Sequence, residues 1–317
     1  MHRSGTSLLA GLLSETLGIP VGPKERLIQP NFDNVKGFYE LRDAVLANDA
    51  VMKYQRRGYG NVENINVGRG GRDVLEVGGG VRLGTGERTE VEVGRQGWKF
   101  SFKLGESSIK VWDQHPIFLQ KDPRMCLMLA AWFPFFSSPP AAIFTYRNPL
   151  EVAKSMNKRD GNDIFPVSRG LTLWLQYTRA ALENVKGLCT VYTSASKVFA
   201  EPVGELERIR EDMVNVCGVE LKRDPISVEK VNEFIDVSLQ HQHARESKEH
   251  VLGERGCEFP VWSSEVRNAN NAKREEKLYD AAMQIFCDLE SGYLYGHVDD
   301  YEWPNIVRYV NVMGDDN

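Results

Sequence analysis

Leucines recur at helical spacing from the start of the chain: Leu8, Leu9, Leu12, Leu13 and Leu17, closed by Gly18. Apolar residues three and four apart bury one helix face, and a glycine after the last of them accepts the left-handed backbone that ends a helix. Ahead of this helix stands Arg3-Ser4-Gly5-Thr6-Ser7. Small residues in that place let several backbone N–H groups turn toward one anion, with Thr6 or Ser7 able to cap the helix or bond the same oxygens. A second pattern lies at 141–146, an apolar run rich in strand formers that stops at Arg147. Asn148 as N-cap, Pro149 at the first helical position and Glu151 in a capping-box-like place predict a strand, a turn and a helix. On that helix Ser155 and Arg159 share one face, while Val152 and Met156 share another that packs inward. A shorter apolar run ends at Lys121, with Asp122 and Pro123 as cap and first-turn signals, so Lys121 is expected to project from a strand end. In parallel α/β sheets ligands gather beyond that end.

Alternating strands and helices predict an α/β fold. Helices are also expected at 41–52, 207–216 and 275–289, the last with Leu278, Ala282, Ile285, Phe286 and Leu289 on one face. Between Gly58 and Gly97 the pattern lapses, because twelve of the 28 glycines fall there. Glycine is disfavoured in helices by about 1 kcal/mol each, so this stretch reads as an insertion. Residues 74–81 and 89–93 suit a loose β-hairpin turning at Gly84-Thr85-Gly86.

A chain of 317 residues at 42% hydrophobic content can bury one large or two small cores. The net charge of −5 argues against a nucleic-acid partner, since such binding rests on clustered Lys and Arg. Cys126, Cys189, Cys217, Cys257 and Cys287 are odd in number, dispersed and without metal-ligand spacing, which suggests thiols, with room for a single pair. No metal is expected. The segment with His241, His243 and His250 reads as a solvated surface. Neither a run of about eighteen apolar residues nor a signal peptide is present, so no membrane segment is expected. The chain as it stands reads as cytoplasmic, with the Golgi lumen as the alternative if an amino-terminal anchor belongs to it.

The first loop is not the usual nucleoside-triphosphate loop, which places Lys and Ser/Thr after its second glycine. Here Thr6 follows Gly5 and the cation, Arg3, precedes it. Arg147, Ser155 and Arg159 together offer two guanidinium forks and a hydroxyl, which suits a phosphate monoester. Taken singly, these features also fit a helix cap, a solvated helix face and a surface lysine.

In order and spacing, these segments resemble the sulfotransferase superfamily that uses 3′-phosphoadenosine 5′-phosphosulfate. Arg3-Ser4-Gly5-Thr6-Ser7 is similar to its 5′-phosphosulfate loop, and Arg147 with Ser155 to its 3′-phosphate motif. Arg159 matches a further 3′-phosphate arginine of the protein-tyrosine branch, and Lys121-Asp122-Pro123 resembles that branch and bacterial members. Lys36-Gly37-Phe38-Tyr39-Glu40 is similar to a segment after the first helix in bacterial-type members. The resemblance covers roughly 1–57 and 117–200. It implies a single domain over 1–317, with a P-loop-like central parallel sheet flanked by helices. In that family an apolar strand precedes the loop, so the sheet is expected without its usual first strand unless another segment fills the gap.

The same resemblance implies in-line transfer of a sulfuryl group to a hydroxyl or amine of a small-molecule, carbohydrate or protein acceptor. Arg3, Ser4, Gly5, Thr6 and Ser7 would hold one end of the cofactor and Arg147, Ser155 and Arg159 the other, with a nucleoside between them. Arg3 and Lys121 would neutralise charge on the bridging oxygen. Glu40 is the expected base, with His2, titrating near neutral pH, as its competitor. A truncated, non-catalytic nucleotide-binding or interaction protein is the alternative. Val74-Leu75-Glu76-Val77-Gly78-Gly79-Gly80 gives a weak signal for an adenosylmethionine-dependent methyltransferase, but the next residues lack an apolar helix face.

Overall fold

A computed structural model describes residues 1–31, 34–54, 90–92, 99–101, 108, 110–133, 136–235, 250–252, 257–260, 262 and 269–304. It is a mixed α/β structure in which a two-stranded parallel sheet is flanked by helices. In chain order the elements are α1 (Thr6–Leu17), α2 (Arg42–Tyr54), β1 (Glu90–Glu92), β2 (Lys99–Ser101), α3 (Met125–Trp132), β3 (Ala142–Tyr146), α4 (Pro149–Asp160) and α5 (Val167–Asn184). There follow β4 (Thr190–Ser194), α6 (Ala195–Ala200), α7 (Pro202–Asn215), α8 (Val228–Phe234), β5 (His250–Leu252), β6 (Glu258–Pro260), α9 (Ala269–Glu290) and α10 (Tyr293–Gly296).

Strands β3 and β4 pair in parallel, Ala142 opposite Thr190 through Tyr146 opposite Ser194. Side chains alternate across a sheet, and each face of this one carries its own core. Phe144 and Tyr146 join α3, α4, α5 and α9 on one side, while Val191, with Ile143 beside it, joins α1, α7 and α8 on the other. The leucine face of α1 is buried, with Leu12 fully so, and Gly18 ends the helix at φ +66° as its sequence predicts. Helix α4 starts as expected. The Asn148 side chain accepts from the N–H groups of Leu150 and Glu151, Pro149 opens the first turn, and Val152 and Met156 are fully buried. Where α4 meets α5, Gly170 lies against the Ala153 backbone so closely that a Cβ there would sit 2.6 Å from its Cα.

The structure departs from the sequence reading in three places. Glu90–Glu92 pairs antiparallel with Lys99–Ser101, a partner further along the chain than the expected one at 74–81, which lies outside the described residues. Four of the five cysteines form disulfides, Cys189–Cys217 and Cys257–Cys287, leaving Cys126 as the thiol. Cys189 precedes β4 and Cys217 follows α7, so the first bridge ties sheet to helix. Residues 117–120 carry no strand; the Leu119 N–H donates instead to the Pro20 carbonyl at 2.9 Å. The expected histidine segment at 241–249 lies outside the described residues. Among those described, no helix is long and apolar enough to cross a membrane.

Candidate functional site

The loop before α1 is shaped by two left-handed residues, Arg3 at φ +64° and Gly5 at φ +78°. Glycine adopts that conformation freely, whereas an arginine in it is uncommon and held by its surroundings. A Cβ on Gly5 would lie 3.2 Å from that of Ala195, so α6 presses against the loop. The expected capping by Thr6 or Ser7 does not occur. Gly5 is the N-cap and supplies no side-chain acceptor, so Ser7 is available to a distant partner.

That partner is Lys121. Its ammonium donates to Ser7 Oγ at 3.0 Å, to the Phe38 carbonyl at 3.0 Å and to Glu40 Oε1. These three bonds match the three donors of an ammonium. Lys121 and Glu40 are both buried, at 9% and 6% exposure, which makes this an ion pair removed from water. Gly37 at φ +97° and Tyr39 at φ +55° turn the chain so that the Phe38 carbonyl and the Glu40 carboxylate face the same ammonium. Helix α8 holds that turn from outside: Lys36 donates to the Glu233 carbonyl at 2.6 Å and lies over the Phe234 ring, and Tyr39 packs on the same ring.

Behind the pair lies a polar network that sequence reasoning missed. Arg124 stands 3.8 Å from Glu40 Oε2, bonds Asp49 at 2.7 Å and bonds Asp122 at 2.9 Å. Asn48 donates to Asp122 at 2.9 Å and accepts from the Trp132 indole at 2.8 Å. Asp122 and Arg124 sit in the segment that drew attention to Lys121, but a cap and its neighbour carry no mark of this pairing. Burial pushes the Glu40 carboxyl above its usual range and Asp122 adds to the rise, against the opposing pull of Lys121 and Arg124.

From the other side come β3 and α4. Arg147 follows β3 and donates to the Arg3 carbonyl at 3.4 Å, while its Nε bonds Glu151 at 2.7 Å. Glu151 therefore serves Arg147, where the sequence suggested a capping box. Trp174 of α5 donates to the Arg147 carbonyl at 3.0 Å and fixes the turn. Ser155, buried on α4, accepts from Arg3 Nε at 2.8 Å. Arg159 pairs with Asp160 at 2.7 Å. His2 is half-buried, and loss of solvation, followed by the charges of Arg124, the amino terminus, Lys121 and Arg159, holds its pKa well below the ordinary histidine value. The expected titration of His2 near neutrality is thereby corrected: the ring is neutral there.

Six candidates from four stretches of chain, Arg3, Ser7, Glu40, Lys121, Arg147 and Ser155, are thus joined by direct hydrogen bonds or a shared partner. Ser4, Gly5 and Thr6 complete the loop between them. Arg3 reaches from the loop to the Arg147/Ser155 face through its bond to Ser155. Comparison of the chain with protein-family models, with curated proteins and with solved structures finds no match.

Proposed function

We propose that this protein is a transferase that moves a sulfuryl group from 3′-phosphoadenosine 5′-phosphosulfate to a hydroxyl or amine acceptor. The observation that carries the reading is the convergence of Arg3, Lys121, Arg147 and Ser155 at one helix N-terminus, from positions up to 152 residues apart. A helix start flanked by cations is an anion site, and guanidinium forks suit phosphate and sulfate oxygens. In this reading β3 and β4 belong to a P-loop-like parallel sheet whose carboxyl ends face the ligand.

Arg147, Ser155 and Arg159 bind the 3′-phosphate, and the 4–7 loop binds the 5′-phosphosulfate. As the acceptor oxygen or nitrogen bonds to sulfur, the bond from sulfur to the bridging oxygen breaks, and its electron pair stays on the nucleotide phosphate. Arg3 and Lys121 meet that growing charge. Glu40 takes the acceptor proton, helped by a pKa that burial raises. Ligand entry has a structural requirement: Arg3 releases Ser155, and Lys121 exchanges Ser7 for a ligand oxygen.

The same closed bonds favour one second reading, a nucleotide-binding protein without turnover, because all three Lys121 donors are taken up by protein atoms and Arg3 is bonded to Ser155. The two disulfides favour an oxidising compartment over the cytoplasm for either reading. Transfer of labelled sulfate from the cofactor to a panel of hydroxyl and amine acceptors separates the readings. Transferase action predicts that Arg3→Ala lowers kcat at least a hundredfold and that Arg147→Ala mainly raises the KM for the cofactor. Cofactor binding without transfer to any acceptor supports the second reading.

A further inference from the structure

We propose that Phe234 of α8 is a positioning residue for the buried Lys121–Glu40 pair: its ring, lodged in a notch that Gly11 leaves on α1, holds Tyr39 in the left-handed turn that aims the Phe38 carbonyl and the Glu40 carboxylate at one ammonium. The catalytic consequence rests on the transferase reading, whereas the coupling of α8 to the pair does not.

The notch exists because residue 11 has no side chain. A Cβ there would lie 2.2 Å from Phe234 Cζ and 2.8 Å from both Phe234 Cε1 and Tyr39 Cε2, so the two rings fill the space a methyl would take. They meet each other at 6.0 Å between centroids, tilted by 58°. Lys36 closes a third side, with its ammonium 5.4 Å from the Phe234 ring centroid and bonded to the Glu233 carbonyl at 2.6 Å. Loss of solvation, followed by the charge of Glu15 on α1, pushes the Tyr39 phenol up to about 12, as fits a ring lying along that helix.

Tyr39 is where such a contact matters. The turn is pinned by backbone on either side: the Gly37 N–H donates to the Asn34 carbonyl at 3.1 Å, and the Glu40 carbonyl accepts from the Ile28 N–H at 2.8 Å. Between these pins Tyr39 sits at φ +55°, a conformation that a residue with a side chain keeps only where its surroundings impose it. Its ring meets Phe234 and the Gly11 notch. Phe38, just before it, gives Lys121 a carbonyl, and Glu40, just after it, gives Lys121 a carboxylate. A relaxed Tyr39 therefore swings two of the three Lys121 acceptors out of register, while Arg147 at the end of β3 and Ser155 and Arg159 on α4 stay in place.

Two variants displace the ring by opposite means. Phe234→Ala removes it, and Gly11→Ala fills the notch with a methyl, a change that favours the helix itself. A pulse of acetic anhydride on the full chain, read by peptide mass spectrometry, reports the accessibility of the Lys121 amine against that of exposed Lys158. Expected in both variants is Lys121 acetylation roughly tenfold or more above the parent, with amide exchange across α5 unchanged. Phe234→Met, which refills the notch, should stay within about threefold of the parent. Unchanged Lys121 acetylation in either variant overturns the proposal, as does a Phe234→Met chain as reactive as Phe234→Ala. Faster exchange across α5 also overturns it, because Phe234 would then support the whole fold. In sulfate transfer, Phe234→Ala should lower kcat roughly tenfold or more and leave the KM for the cofactor within about threefold, and the reverse split overturns the positioning role. A parent chain that transfers no sulfate contradicts the transferase reading alone, and acetylation then decides the coupling by itself.

Discussion

Lys121 and Glu40 show how a buried ion pair acts on stability and chemistry together. Two charges inside a protein each need a partner, and removing one strands the other. Lys121→Met is therefore expected to cost about 3 kcal/mol or more in urea unfolding. Adding Glu40→Gln should recover most of that loss without restoring activity. A single variant within 1 kcal/mol of the parent would show that the pair does not hold the site together. His2 gives a second handle, on pH. Its folded-state pKa is depressed by loss of solvation and by Arg124, the amino terminus, Lys121 and Arg159. The stability it contributes is therefore complete above the unfolded value of 6.5 and is lost as pH falls toward the folded one. The difference in stability between parent and His2→Phe should shift against the parent by roughly 1 kcal/mol per unit below pH 6. Chemical denaturation from pH 7.5 to 5 checks this, and parallel pH profiles would contradict it.

Among the elements, α4 and α5 define the ledge that carries Ser155 and supports Arg147. Their close approach depends on Gly170, where a Cβ would meet backbone as well as the Ala153 methyl, at 2.6 and 2.7 Å. Backbone cannot swing aside as a flexible side chain does, so Gly170→Ala should destabilise by about 1–3 kcal/mol. An unchanged melting temperature would show that the helices separate freely. Helix α4 was legible in the sequence because its period and its Asn148 and Pro149 start agree. The site was legible in part, since its cations sit at element ends where ligands are expected. Its supports were not. Asn48 is one of several polar residues on α2, and only the fold brings it to Asp122 and Trp132. Residues 117–120 were expected to form a strand, yet among the described residues no strand pairs with them, and Leu119 bonds the Pro20 carbonyl instead, so an apolar run alone did not become one. The cysteine pairs were equally hidden, because spacings of 28 and 30 residues say nothing of which ends meet.

At the scale of the molecule, two cores lie on opposite faces of a small parallel sheet, and the candidate site stands where β3 ends, at the seam between them. The Cys189–Cys217 bridge ties β4 to α7 on one side, and the Cys257–Cys287 bridge anchors α9 on the other. The framework thus fixes the strands from which the candidate site is built, while the proposed function requires Arg3 and Lys121 to trade protein partners for a ligand. The central proposal is that this seam grips one nucleotide by its two phosphate ends. Isothermal titration of the full chain with adenosine 3′,5′-bisphosphate tests it most directly, with Arg147→Ala alongside. The account predicts one-to-one binding that raises the melting temperature, and at least tenfold weaker binding in the variant. No heat and no thermal shift, or equal affinity in parent and Arg147→Ala, would contradict it.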